Sequence, residues 1–122
     1  MRGAGVRAIV MSAITTHVLD TSTGRPAARV SVHLERSNGA RWESIGRGET
    51  DADGRVRTLV LDDERVAAGL YRITFSTGAY FERTNTPTFY PYVSVAFEVA
   101  ADQHYHVPLL ISPFGYSTYR GS

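Results

Sequence analysis

Apolar and polar residues alternate along most of this chain of 122 residues. A two-residue repeat is the mark of a strand, because successive side chains leave it on opposite faces. Ile14 to Asp20 reads as a first short strand, closed by Thr23-Gly24-Arg25-Pro26, where Gly and Pro break the ladder. Arg29 to Glu35 alternates, with Val30, Val32 and Leu34 on one face and His33 on the outward one. Ser37-Asn38-Gly39 signals a hairpin, since Asn-Gly tolerates the positive φ of a tight two-residue turn. Trp42 to Thr50 returns, and Asp51-Ala52-Asp53-Gly54 turns again to present Arg55 just after the bend. Leu70 to Phe75, Tyr92 to Val99, His104 to Ser112 and Gly115 to Arg120 follow as strands. Only Asp62 to Ala68 and Thr77 to Arg83, the latter after a Ser76 or Thr77 N-cap, have the composition of a helix. Short strands at near-regular spacing with Gly/Pro turns predict an all-β sandwich or barrel.

A chain of this length suits one domain with a core that needs no staples. There is no cysteine, which excludes disulfides and thiolate metal sites and fits a reducing compartment. Net charge is +1 with no basic stripe, so neither nucleic acid nor an acidic membrane surface is expected as a partner. Arg2 and Arg7 precede the apolar run Ala8-Ile9-Val10-Met11, but that run is too short for a secretory core. The chain is therefore expected to be soluble and cytoplasmic. Residues 1–13 read as an N-terminal extension and 14–122 as the domain.

Histidine placement is the one unusual feature. His104, His106, Pro108 and Leu110 share a strand face, while Tyr105, Val107, Leu109 and Ile111 form the more apolar, core-facing side. His17 shares a face with Leu19, and Ser117 with Tyr119. Each has a plain alternative: a strand histidine is more often solvated than catalytic, Arg55 after a turn is ordinarily solvated, and Tyr119 ordinarily packs. His17, His104 and His106 could instead ligate zinc, although no carboxylate pattern supports that. Spacing alone yields a β-sandwich with a possible histidine site and no substrate.

Whole phrases carry a resemblance. Thr15-Thr16-His17-Val18-Leu19-Asp20 with Gly24-Arg25-Pro26-Ala27, then Thr50-Asp51-Ala52-Asp53-Gly54-Arg55, run in order along the chain. Tyr71-Arg72-Ile73 with Thr77-Gly78-Ala79-Tyr80-Phe81 follows, then His104-Tyr105-His106-Val107-Pro108-Leu109-Leu110 and the ending Tyr119-Arg120-Gly121-Ser122. Together they resemble the transthyretin-like 5-hydroxyisourate hydrolases from Ile14 to the last residue. Residues 1–10 have no counterpart, with Met11 at the commoner start. Tyr92, Ser94 and Ala96 stand where such relatives carry an acidic residue, a proline and a glutamate.

The resemblance implies a transthyretin-like (prealbumin-like) β-sandwich of seven to eight strands with one short helix. It also implies a homotetramer, a dimer of dimers with sites at the dimer–dimer interface. The implied reaction opens 5-hydroxyisourate to 2-oxo-4-hydroxy-4-carboxy-5-ureidoimidazoline. His17 and His106 would activate water and move protons, Arg55 would hold carbonyl oxygens and the oxyanion, and Tyr119 and Ser117 would position substrate and water. His104 would orient neighbours or act directly, and Arg120 would anchor the tail. No metal or organic cofactor is required. A non-enzymatic carrier on the same scaffold is the principal rival.

Overall fold

The computed structural model describes residues 13–60, 66–100 and 103–122. Its elements in chain order are β1 (Ile14–Asp20), β2 (Arg25–Pro26), β3 (Ser31–Ser37), β4 (Trp42–Glu49) and β5 (Arg55–Val56). Then come β6 (Gly69–Phe75), the helix α1 (Thr77–Glu82), β7 (Val93–Val99), β8 (Tyr105–Ser112) and β9 (Gly115–Thr118). One sheet runs β2-β1-β8-β9, with β5 also paired to β1, and the other runs β4-β3-β6-β7.

Alternation decides what lies between the sheets. Val18, Leu109 and Ile111 from the first meet Leu34, Ile73 and Phe75 from the second, all essentially without solvent exposure. Burying one such side chain contributes about 1.5–3 kcal/mol, so a shared core of this kind holds the two layers together. The expected inward set of β8 is confirmed: Tyr105, Val107, Leu109 and Ile111 are all buried. His33 lies on the outward face of β3, half-buried, with its Nε2 2.9 Å from Ser44 Oγ.

Among the described residues nine strands are present, rather than seven to eight. The surplus is β2 and β5, two residues each, too short for any periodicity to reveal. The first turn is also displaced from its expected place. The chain reverses over residues 21–24, with Gly24 at φ +73° and its N–H on the Asp20 carbonyl, so Arg25 and Pro26 pair back onto β1. Proline is tolerated there because β2 is an edge. β3 starts at Ser31 rather than Arg29, because Arg29 takes a left-handed φ of 60° that ends strand geometry.

The β3–β4 link is not a two-residue turn. Residues 38–41 form it, with Asn38 Oδ1 accepting the N–H groups of Ala40 and Arg41. The helix of residues 77–82 forms with Ser76 at the N-cap position, although no side chain caps it. Tyr80 ties this helix to β1: its hydroxyl donates to the buried Asp20 carboxylate at 2.8 Å. Burial and that carboxylate push the Tyr80 phenol up to about 12. Most of the expected helix 62–68 lies outside the described residues, and Val66–Ala68 are not helical.

Candidate active site

β1 and β8 lie side by side in parallel, Thr15 opposite His106 and His17 opposite Pro108. On the other side of β1, β5 places Arg55 opposite His17. Residues opposite each other in a ladder project to the same face, and i, i+2 neighbours follow them. Thr15, His17, Arg55, His104 and His106 therefore all leave the sheet on its outward side. Residues some 90 positions apart become neighbours through one parallel pairing.

Arg55 is delivered there by a built turn. Asp51 Oδ1 accepts the N–H groups of Asp53 and Arg55, each at 2.9 Å, and these bonds hold its carboxyl below the usual range. Gly54, at φ +76°, lets the chain bend so closely that its carbonyl accepts the Val18 N–H at 2.7 Å. The turn is thus fastened to β1 on one side and to Arg55 on the other.

The imidazoles are tuned in one direction. His17 titrates below its ordinary value, first because burial disfavours the cation and then because Arg55 is close; a backbone hydrogen bond at Asp53 opposes this in part. His106 is lowered by burial first, then by Arg55, His17 and His104. Both rings are accordingly neutral at pH 7, with a lone pair available. Burial leads in each case, a contribution that strand spacing could not foretell.

The His106 ring is held at two points. Its Nδ1 lies 2.8 Å from the Thr15 hydroxyl, which also stands 3.4 Å from His104 Nε2. Gly121 donates its N–H to the His106 carbonyl at 2.8 Å, and a side chain at Gly121 would come within 2.6 Å of His106 Cδ2. An open cleft of about 200 Å³ lies over this group, walled by Thr15, Arg55, Arg57, His104, His106 and Ser122. His17 is outside that wall yet close enough to weigh on the charge of His106.

Of the residues singled out in the sequence, His17, Arg55 and His106 are brought together. Ser117 pairs opposite Leu110 on the same outward face but does not wall the cleft. Tyr119 is 60% exposed and lines a different cleft with Phe97, Tyr105 and Arg120, shared with the first only through His106. Arg120 stacks on Tyr105, its guanidinium carbon 4.7 Å from the ring centre, and so fastens the tail. Among the described residues no three of His, Cys, Asp and Glu are disposed to hold a metal ion. The reading from sequence missed Thr15, Arg57, Gly121 and Ser122 as walls or supports. Thr15 alone had a usable signal, standing two residues before His17 on the same face.

Comparison with known proteins adds the decisive observation. The HIUase/Transthyretin family model matches residues 14–121. The chain belongs to that family. The 5-hydroxyisourate hydrolase of Caulobacter vibrioides is 45% identical over 117 residues, covering 92% of this chain and 100% of that one. That of Salmonella dublin is 46% identical over 110 residues, covering 89% and 80%. Among solved structures, Klebsiella pneumoniae 5-hydroxyisourate hydrolase superposes with a TM-score of 0.79 at 38% identity, over 89% of this chain and 98% of that one. Sea bream transthyretin in complex with thyroxine superposes with a TM-score of 0.83 at 30% identity, over 90% and 95%. Members of the HIUase/Transthyretin family thus share a scaffold whatever they do, and fold alone does not separate enzyme from carrier.

Proposed function

We propose that this chain is a 5-hydroxyisourate hydrolase. The observation that carries the reading is the outward cluster in which two imidazoles, both depressed in basicity, stand beside the Arg55 guanidinium. Opening a cyclic amide with water needs a base, donors for the developing oxyanion and a proton for the leaving nitrogen. The named relatives, 45–46% identical over most of the chain, supply the substrate.

His106 and His17 serve as the proton-transferring pair. One neutral ring takes a proton from water as its oxygen attacks the ring carbonyl. The carbon–nitrogen bond then breaks, the nitrogen leaves with a proton and the product is a ureido-imidazoline carboxylate. Arg55, planar and permanently charged, holds the carbonyl oxygen and stabilises the charge that develops on it. The residues present supply base, acid and oxyanion donor, so the scheme requires no cofactor.

A cleft of about 200 Å³ is small and open for a ligand site. We assign its missing wall to other copies of the chain, in a homotetramer whose dimers stack on this face. The exposed Phe114 and Tyr119 at the two ends of β9 fit such burial. Ser117 and Tyr119 then position substrate once the face is covered. Among the described residues no helix is long and apolar enough to cross a membrane, and we place the enzyme in the cytoplasm.

The test is spectrophotometric. Hydroxyisourate is generated by urate oxidase and its decay followed with wild type and with His106→Ala. Wild type should accelerate the decay and His106→Ala should lose about 10²–10⁴ of that effect. A wild type that binds aromatic hormones yet leaves the decay at its spontaneous rate would make the protein a carrier. Activity lost on chelation and restored by zinc would overturn the metal-free scheme.

A further inference from the structure

His106 presents two ring nitrogens, and only one of them can serve the cleft. Nδ1 is taken by the Thr15 hydroxyl at 2.8 Å, and the Cγ–Cδ2 edge lies under Gly121. Nε2 makes no hydrogen bond to the described residues and is the nitrogen left to the cleft that Arg55 lines. A neutral imidazole is a base at Nε2 only when its proton sits on Nδ1, and the hydrogen bond made by one nitrogen sets the state of the other.

Thr15 can impose either state. A hydroxyl owns one hydrogen and two lone pairs, so it can donate to Nδ1 or accept from it. What decides is the second imidazole: the same hydroxyl stands 3.4 Å from His104 Nε2. If its hydrogen goes to His104, only lone pairs face His106, and Nδ1 must carry the ring proton. Arg55 lines the same cleft, and its positive charge disfavours an N–H dipole turned into that space. Thr15 itself is only 4% exposed, so water does not compete for the hydroxyl as it would at a surface.

We propose that Thr15, oriented by His104, is a positioning residue that holds His106 with its proton on Nδ1 and its lone pair on Nε2. This rests on reading His106 as a base for water. It gives His104 a task without contact with substrate, and it treats the Thr15 hydroxyl, rather than the shape of a β-branched side chain, as the functional part. No proton need pass along the row for this to work.

Two substitutions separate hydroxyl from shape. Thr15→Val keeps the branched form and removes the donor and acceptor; Thr15→Ser keeps the hydroxyl. In serine-protease triads a histidine in the wrong tautomer loses about 10⁴ in turnover. Removing the hydroxyl leaves a mixture of tautomers, so Thr15→Val should lose about 10–100-fold in kcat with KM within about twofold, a tenth or less of that upper scale. Thr15→Ser should stay within about threefold of wild type, and His104→Ala should fall in the same direction as Thr15→Val but by less. The second readout needs no turnover: nitrogen NMR of histidine-labelled protein above the ring pKa should find the His106 proton on Nδ1 in wild type and Thr15→Ser, and partly or wholly on Nε2 in Thr15→Val. A wild-type proton on Nε2, or a Thr15→Val enzyme with wild-type kcat, overturns the proposal. If instead His106→Ala retains activity, the function reading fails, while the tautomer spectra still judge Thr15 on their own. Should Thr15→Val not fold, the wild-type and Thr15→Ser spectra still decide.

Discussion

Replacing Gly121 with alanine tests how tightly the tail holds the reactive ring. The new methyl carbon would lie 2.6 Å from His106 Cδ2 and 3.2 Å from both His106 Cγ and Pro108 Cγ. Carbon atoms rest at about 3.5–4.0 Å, so roughly 1 Å must be recovered by moving something. The tail has little freedom to retreat: the Gly121 N–H is bonded to the His106 carbonyl at 2.8 Å, and the preceding Arg120 is stacked on Tyr105. Pro108 is a rigid ring in the middle of β8. The imidazole is therefore the part that yields, rotating out of line with Thr15. A misplacement of about 1 Å in a reacting group can cost about 10²-fold in rate, so kcat/KM should fall by about 10–100-fold. Stability should change by less than about 1 kcal/mol, because the site is at the rim of the sheet and not in the core. The hydroxyisourate decay assay and a thermal melt on the same preparation measure both. Activity within twofold of wild type would mean that the tail accommodates the methyl and that Gly121 does not set the ring.

Two further perturbations act on Arg55. Arg55→Ala removes an oxyanion donor, with an expected loss of about 10²–10³ in kcat. Because Arg55 lowers the pKa of both His17 and His106, its removal also raises them toward the ordinary histidine value. In wild type, kcat/KM should rise with pH through an acidic limb lying below about 6.5, where the bases lose their protons, and level off above it. In Arg55→Ala that limb should move to higher pH; an unmoved limb would deny that Arg55 and the imidazoles share one site. Gly54→Ala strains the turn that delivers Arg55. Its φ of +76° and a methyl 2.4 Å from the Val18 carbonyl oxygen should together cost about 2 kcal/mol or more, read as a fall of several degrees in Tm with reduced activity. Gly24→Ala is the control: φ is +73° but nothing lies within 4 Å, so it should cost only about 1 kcal/mol and leave activity intact.

What the sequence disclosed follows from what alternation records. It assigned the inward set of β8 and the outward direction of His17 and His106, because a two-residue period needs only a few residues to declare a face. It could not find β2 or β5, whose two-residue length carries no period, nor the left-handed Arg29 that delays β3. Arg55 was noticed through its turn chemistry, Asp51 and Gly54, although nothing local said that the turn would be pinned to β1. Thr15 was legible in principle and overlooked, since a threonine in a strand is ordinarily there for its β-propensity. The support from Gly121 was not legible at all: it depends on the tail returning to bridge His106, a long-range contact made by a residue without a side chain.

The likeness to both a hydrolase and a thyroxine-bound transthyretin locates the function within the fold. A TM-score of 0.79 against one and 0.83 against the other means that strand order and sheet packing are common property. The chemistry must then lie in what decorates the outward face of β1, β5 and β8. On that face a parallel ladder sets Thr15 against His106, and an edge pairing sets His17 against Arg55. Backbone hydrogen bonds fix both pairings, so the cluster is placed by the most rigid part of the molecule, as a reactive constellation requires. Core substitutions that preserve volume should therefore leave the reaction unchanged, while a one-residue slip between β1 and β8 would turn His106 into the core. The register of that single parallel pair is what keeps Thr15 and His106 together on the outward face.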